Sequence, residues 1–176
     1  MKKLLLASTA CAIMAGAASA EEIKLGVIFG FTGPLESITP HMGAGAELAI
    51  KEISDSGMLL DGSTVTAVRG DSTCVDAAAA QAAAERLVTT DKVAAIVGAD
   101  CSGVTGAILT NVAIPNGVVM ISPSATSPGL TSTEDGGLFF RTAPSDARQS
   151  EVLAQVLKDR GITEVAVTYT NNDYGK

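Results

Sequence analysis

The sequence predicts an α/β protein built on a parallel sheet with helices on both faces. Three observations carry this. Short apolar runs alternate along the chain with helix-period or alanine-rich segments. Most of those runs are apolar throughout rather than alternating, as strands buried on both faces are. Hydrophobic residues make up 47% of the 176, enough for a packed core and too many for a disordered chain. The length suggests about one domain.

Along the chain, Ile23 to Phe29 is strand-like, and Gly30 to Pro40 is a loop carrying Thr32-Gly33-Pro34. Residues 42–56 have helical spacing, with Ala46, Ala49, Ile50 and Ile53 on one face. Ser56-Gly57 ends that helix, and Asp61-Gly62 is a turn. Thr64 to Arg69 is β-branched and alternates, which predicts a strand. Asp76 is placed to cap a helix over 77–89, whose alanines carry high helix propensity. Val93 to Val97 reads as a buried strand, 103–113 as a short helix, Val118 to Ile121 as a strand and Leu138 to Arg141 as a fifth. Residues 146–160 predict a helix ending at Gly161, with Val152, Leu153, Val156 and Leu157 on one face. Glu164 to Thr170 predicts a last strand. The chain then stops at Asn172-Asp173-Tyr174-Gly175-Lys176, directly after that strand, which suggests part of a longer protein.

The opening has the form of a cleavable export signal. Lys2 and Lys3 precede an apolar stretch from Leu4 to Ala18, and Ala18-Ser19-Ala20 is a small-residue cleavage site. Cys11 lies within this segment, and Ser8 stands where a lipoprotein signal would want leucine. Net charge is −7; removal of 1–20 takes two lysines and no acid, leaving −9. So acidic a chain, without a basic cluster, is a poor nucleic-acid ligand. No apolar run reaches the roughly 20 residues of a membrane span. Export leaves Cys74 and Cys101, 27 positions apart. An even count in an exported chain argues for a disulfide, against the alternative of two buried thiols. Two cysteines and a distant His41 do not make a tetrahedral metal set.

Ligands of open α/β sheets sit beyond the carboxyl ends of the strands. The loops there include Gly98-Ala99-Asp100-Cys101-Ser102-Gly103, which offers a hydroxyl and bare N–H groups at a helix start. Ser122-Pro123-Ser124-Ala125-Thr126-Ser127-Pro128 is stiffened by two prolines and carries several hydroxyls. Such a loop could bind a ligand's carboxylate and ammonium with little ordering cost, or its hydroxyls could merely cap turns. Enzymatic and cofactor signals are weak. Gly43-Ala44-Gly45 lacks the third glycine of a dinucleotide fingerprint and lies inside a helix. Neither a Walker A run nor a G-x-S-x-G elbow occurs, and His41 is the one histidine. No catalytic residue and no cofactor is expected.

The ordered motifs carry a resemblance. They are Gly33-Pro34, Gly45-Ala46-x-x-Ala49, Asp71-x-x-Cys74, Cys101-Ser102, Ser122-Pro123-Ser124-Ala125-Thr126-Ser127-Pro128-x-Leu130, Phe140-Arg141-Thr142 and Asp173-Tyr174-Gly175. The set, from about residue 23 to 176, resembles the periplasmic leucine/isoleucine/valine-binding proteins, solute receptors of ABC importers. The resemblance implies a type I periplasmic binding fold, with two doubly wound parallel-sheet lobes closing on a ligand. Residues 1–20 would be the signal peptide, 21–144 the first lobe without its later returning segments, and 145–176 the start of the second lobe. The crossover would lie near Arg141 to Pro144. Ser102 and Thr126 match positions that bind the ligand carboxylate, and Ser124 the position whose carbonyl takes the ammonium. Tyr174 matches an aromatic closing from the second lobe. Cys74 and Cys101 match a family disulfide. Ile38 stands where the family often has an aromatic against the ligand side chain. The implied function is a periplasmic receptor for a branched-chain or other small amino acid, or a close amide, delivering it to an inner-membrane ABC permease. The alternative is a ligand-sensing module of the same fold coupled to a signalling receptor.

Overall fold

The computed structural model describes residues 20–59 and 62–175. The expected export segment, Ala20 apart, lies outside the described residues, as does Asp61 of the expected turn. The elements are β1 (Glu22–Phe29), α1 (Thr39–Asp55), β2 (Thr64–Asp71), α2 (Ala77–Glu85), β3 (Ala95–Gly98), α3 (Ser102–Ile108), α4 (Ile114–Asn116), β4 (Val119–Ser122), α5 (Gly129–Ser132), β5 (Phe139–Arg141) and α6 (Asp146–Asp159). Wider π turns, Arg86–Thr90 and Leu109–Ala113, extend α2 and join α3 to α4. All five strands are parallel, in the order β2-β1-β3-β4-β5.

Successive side chains of a strand point to opposite faces, and β1 shows the consequence. Ile28 enters a core with Leu87, Ile96, Ile108 and Met120, while Val27 and Phe29 enter a second core with Ile50 and Val65. The sheet is therefore covered on both faces at β1. At β4 it is not. Met120 and Ser122 are buried, but Val119 and Ile121 are exposed. Register makes the point: Val27, Val97, Ile121 and Phe140 form one row across β1, β3, β4 and β5. The row is fully buried at β1, half-buried at Val97, and open at Ile121 and Phe140. The expected two-face cover holds for only part of the sheet.

Asp76 caps α2 as its position predicts, its carboxylate accepting from the N–H groups of Ala78 and Ala79 at 3.0 Å each. Two expectations are corrected. Residues 164–170 form no strand; 162–170 lack regular structure, and Val167 is 83% exposed. A strand exists only where a neighbour takes its N–H and C=O groups, and none of the five strands pairs with this segment. The inward face of α1 is also shifted. Gly43 and Ile50 are buried, whereas Ala49 and Ile53 are exposed. The Phe31 ring covers Gly43 so closely that a Cβ there would meet it at 2.8 Å. In α6 no side chain is buried, and Val152, Leu153 and Val156 face outward.

Leu87, carried by the π turn after α2, packs directly onto the backbone of Gly26 in β1 and Gly70 in β2. Leu87→Ala should therefore cost about 2–5 kcal/mol, by lost transfer energy and a cavity the glycines cannot fill. Asp76→Ala, which removes only the helix cap, should cost about 1 kcal/mol. Urea denaturation of the two variants checks the ranking.

Candidate functional site

The loops leaving β1, β2, β3 and β4 meet at the carboxyl edge of the sheet. Gly30, just past β1, is the crossing point. A Cβ there would lie 3.1 Å from both the Cβ and the N of Cys74, so the close approach favours glycine. Over it runs the Cys74–Cys101 disulfide, with Cα atoms 5.2 Å apart, joining the β2 loop to the β3 loop. Closing this loop contributes about 3.5 kcal/mol in the chain-entropy account. The bridge leaves no thiol at Cys74 or Cys101. These sulfurs and the Asp100 carboxylate lie together, but bridged sulfurs are poor metal ligands.

Two carboxylates fasten this side. Asp100 is 4% exposed, and its Oδ1 accepts from the Gly30 N–H (3.0 Å) and the Ser72 hydroxyl (3.1 Å). Asp71, at the end of β2, accepts from the Thr32 hydroxyl (2.6 Å) and the Thr73 N–H (2.8 Å). Burial pushes the Asp71 carboxyl up, but the Thr32 hydroxyl and the N–H groups of Thr73, Thr32 and Phe31 outweigh it and hold the group below the usual aspartate range. Thr73 and Cys74 both take left-handed backbone conformations, with φ of 56° and 69°.

The β4 loop is held by hydroxyls and one arginine. Ser122 donates to the Ala99 carbonyl (2.5 Å) and accepts from the Ala125 N–H (2.9 Å). Ser124 donates to the Asp100 carbonyl (3.0 Å). Ser102 Oγ accepts from the Ser127 N–H (3.1 Å), which leaves its own hydrogen to donate. Thr126 donates its hydroxyl hydrogen to Asp146 Oδ2 (2.8 Å), and the Asp146 N–H returns a bond to the Thr126 carbonyl (2.9 Å). Arg141 grips the loop from β5, donating to the carbonyls of Ser127 (2.9 Å) and Ala125 (3.3 Å) and to the Thr131 hydroxyl. Of the two readings left open for these hydroxyls, Ser122 takes the structural one.

These loops border a cleft of about 610 Å³. Its lining includes Pro34, Leu35, Val75 and the disulfide, Asp100, Ser102 and Gly103 from the end of β3 onward, Ser124 and Thr126 after β4, and Thr170, Asn172, Asp173 and Tyr174 from the segment after α6. Ser102, Ser124, Thr126 and Tyr174 thus border one space with both cysteines. Ile38 is not in its lining; it precedes α1 and is 55% exposed. Sequence reasoning gave no individual role to Asp100, Arg141 or Asp146, and treated Ser122 only as one of the hydroxyls of its loop. The only signal was that Asp100, Ser122 and Arg141 fell within singled-out motifs.

Comparison with known proteins identifies the family. Residues 22–176 match the periplasmic binding protein family. The chain belongs to it, and its parallel sheet is that of the type I periplasmic binding fold. It is 35% identical to Leu/Ile/Val-binding protein homolog 3 of Brucella melitensis, across 100% of this chain and 47% of that protein. It is 33% identical to the leucine-, isoleucine-, valine-, threonine-, and alanine-binding protein of Pseudomonas aeruginosa, across 90% and 41%. Among solved structures, the branched-chain amino acid transporter substrate binding protein LivJ from Streptococcus pneumoniae, in complex with isoleucine, shares 34% identity with a TM-score of 0.70, over 79% of this chain and 38% of that one. An ABC transporter substrate-binding protein from Desulfitobacterium hafniense, in complex with Leu, shares 28% with a TM-score of 0.73, over 88% and 44%. The chain spans less than half the length of these relatives.

The lowered pKa of Asp71 fixes the sign of a pH effect. Its contribution is complete above the ordinary aspartate pKa and is lost as pH falls through the depressed value in the fold. Loosening of residues 31–35 and 72–75, tracked by hydrogen exchange, should begin only below about pH 4. In Asp71→Asn the acid-dependent part of that exchange should disappear.

Proposed function

We infer that the chain is the ligand-binding start of a periplasmic receptor for an amino acid or close amide, delivering it to an inner-membrane ABC permease. The carrying observation is the set of complementary polar groups around the cleft. Ser102 keeps a hydroxyl hydrogen to donate, and the Thr126 N–H makes no hydrogen bond among the described residues. Both suit a ligand carboxylate. The Thr126 hydroxyl, its hydrogen on Asp146, offers a lone pair, and the Ser124 carbonyl takes no backbone bond. Both suit an ammonium. The binding proteins of the family support a receptor over an enzyme, and the relatives named for branched-chain amino acids support the ligand class.

The same reading assigns 1–20 as the export signal, 21–144 as the first lobe and 145–176 as the start of the second. Support for the boundary is the burial contrast: the sheet and its two cores lie between residues 22 and 141, and α6 buries nothing. Elements returning to this lobe would cover the open row at Ile121 and Phe140. No helix among the described residues is long and apolar enough to cross a membrane.

Equilibrium dialysis of the full-length mature protein against the common amino acids should find a ligand at about micromolar Kd or tighter. If none binds, the reading fails. Ser102→Ala should weaken every bound amino acid about 10- to 150-fold, because a hydrogen bond to a charged group contributes about 1.5–3 kcal/mol. The factor should not depend on the ligand side chain. Thr126→Ala should behave alike, and Thr126→Ser should recover most of the loss.

A further inference from the structure

Asp100 shares the lining of the cleft with the apolar Pro34, Leu35 and Val75 and with the disulfide. The side chain is 4% exposed, and its two oxygens are treated differently. Oδ1 takes the Gly30 N–H and the Ser72 hydroxyl. Oδ2 has only the Cys101 sulfur at 3.5 Å, and that sulfur, bonded to Cys74, carries no hydrogen. Among the described residues no proton donor reaches Oδ2. An anionic oxygen sealed from water without a donor is costly, by more than a neutral group would be.

Its bonds show which way the side chain turns. Gly30 and Ser72 follow β1 and β2, on one side of β3, whereas Thr126 follows β4, on the other side. Ser102 lies between them on the β3 loop. A ligand whose carboxylate and ammonium are held by Ser102, Ser124 and Thr126 has its side chain left to run toward Asp100 and the disulfide. An aliphatic side chain there would seal Oδ2 from water with nothing to replace the lost hydrogen bond. A side-chain amide or hydroxyl would supply the missing donor.

We propose that Asp100 determines side-chain specificity, selecting amino acids whose side chain brings a hydrogen-bond donor over aliphatic ones of the same shape. This rests on the amino-acid reading above and narrows its ligand class. Two near-isosteric pairs test it on the full-length mature protein: asparagine against leucine, and threonine against valine. By titration calorimetry the donor-bearing member of at least one pair should bind about 10- to 150-fold tighter. Asp100→Asn keeps a carbonyl oxygen for Gly30 and Ser72 and replaces the anionic oxygen, so that preference should fall to a few-fold. Leucine and valine binding as tightly as their partners in the unaltered protein would overturn the proposal and leave the amino-acid reading standing. Equal weakening of all ligands in Asp100→Asn would also overturn it, making Asp100 a fastening of the loops. Binding of no amino acid at all would overturn both. The comparison in the unaltered protein needs no variant to fold.

Discussion

The Gly30 N–H donated into the buried Asp100 carboxylate is the contact on which the carboxyl edge of this sheet depends. It brings the end of β1 under the β3 loop at a close approach, since Cys74 lies 3.1 Å from where a Cβ would be. A buried charge is tolerated only when hydrogen-bonded. The two donors to Oδ1 come from separate strands, so partly satisfying the charge and positioning the loops are one event. The disulfide then joins the two loops that this carboxylate has already drawn together.

The other side of the edge is fixed by different means. No covalent link reaches the β4 loop. Ser122 binds backbone on both sides, Ser124 reaches the Asp100 carbonyl, and Arg141 holds two carbonyls of the loop from outside. These bonds hold the loop with Ser124 and Thr126 bordering the cleft, so little ordering remains to be done on binding. The Thr126–Asp146 pair adds a connection of another kind. It ties the β4 loop to the first residue of α6, the first helix after the sheet. A ligand that alters the Thr126 hydroxyl therefore acts directly on the junction between the sheet and α6.

Much of this was legible in the sequence, for physical reasons that differ by element. Strand order along the chain was legible because apolar runs of β-branched residues have few other uses, and the α2 cap because an aspartate before an alanine tract has one good role. The segment 164–170 has the composition of a strand, but strand formation is a property of pairs, and composition does not name a partner. The face of α1 was misjudged because periodicity counts apolar side chains; burial at Gly43 is decided by the Phe31 ring, a contact from outside the helix. At the site, the residues that border the cleft stood out as small and hydroxyl-bearing. The residues that hold them there did not, because the roles of Asp100 and Arg141 exist only once remote loops converge.

The row Val27, Val97, Ile121 and Phe140 links the edge to the rest of the protein. One helix, α1, covers one sheet face over β1 and β2, the side to which the disulfide and both loop-fastening carboxylates bind. Across the same face toward β4 and β5 the cover thins, and there the β4 loop and the departure to α6 are found. Local stability tracks the density of buried contacts. Among the described residues the β1–β2 half is thus the more densely packed wall of the cleft, and the β4–β5 half carries the row that the elements proposed to return to this lobe would cover. In the proposed reading, side-chain selection would sit against the densely packed wall, and head-group capture on the half that leads from the sheet to α6.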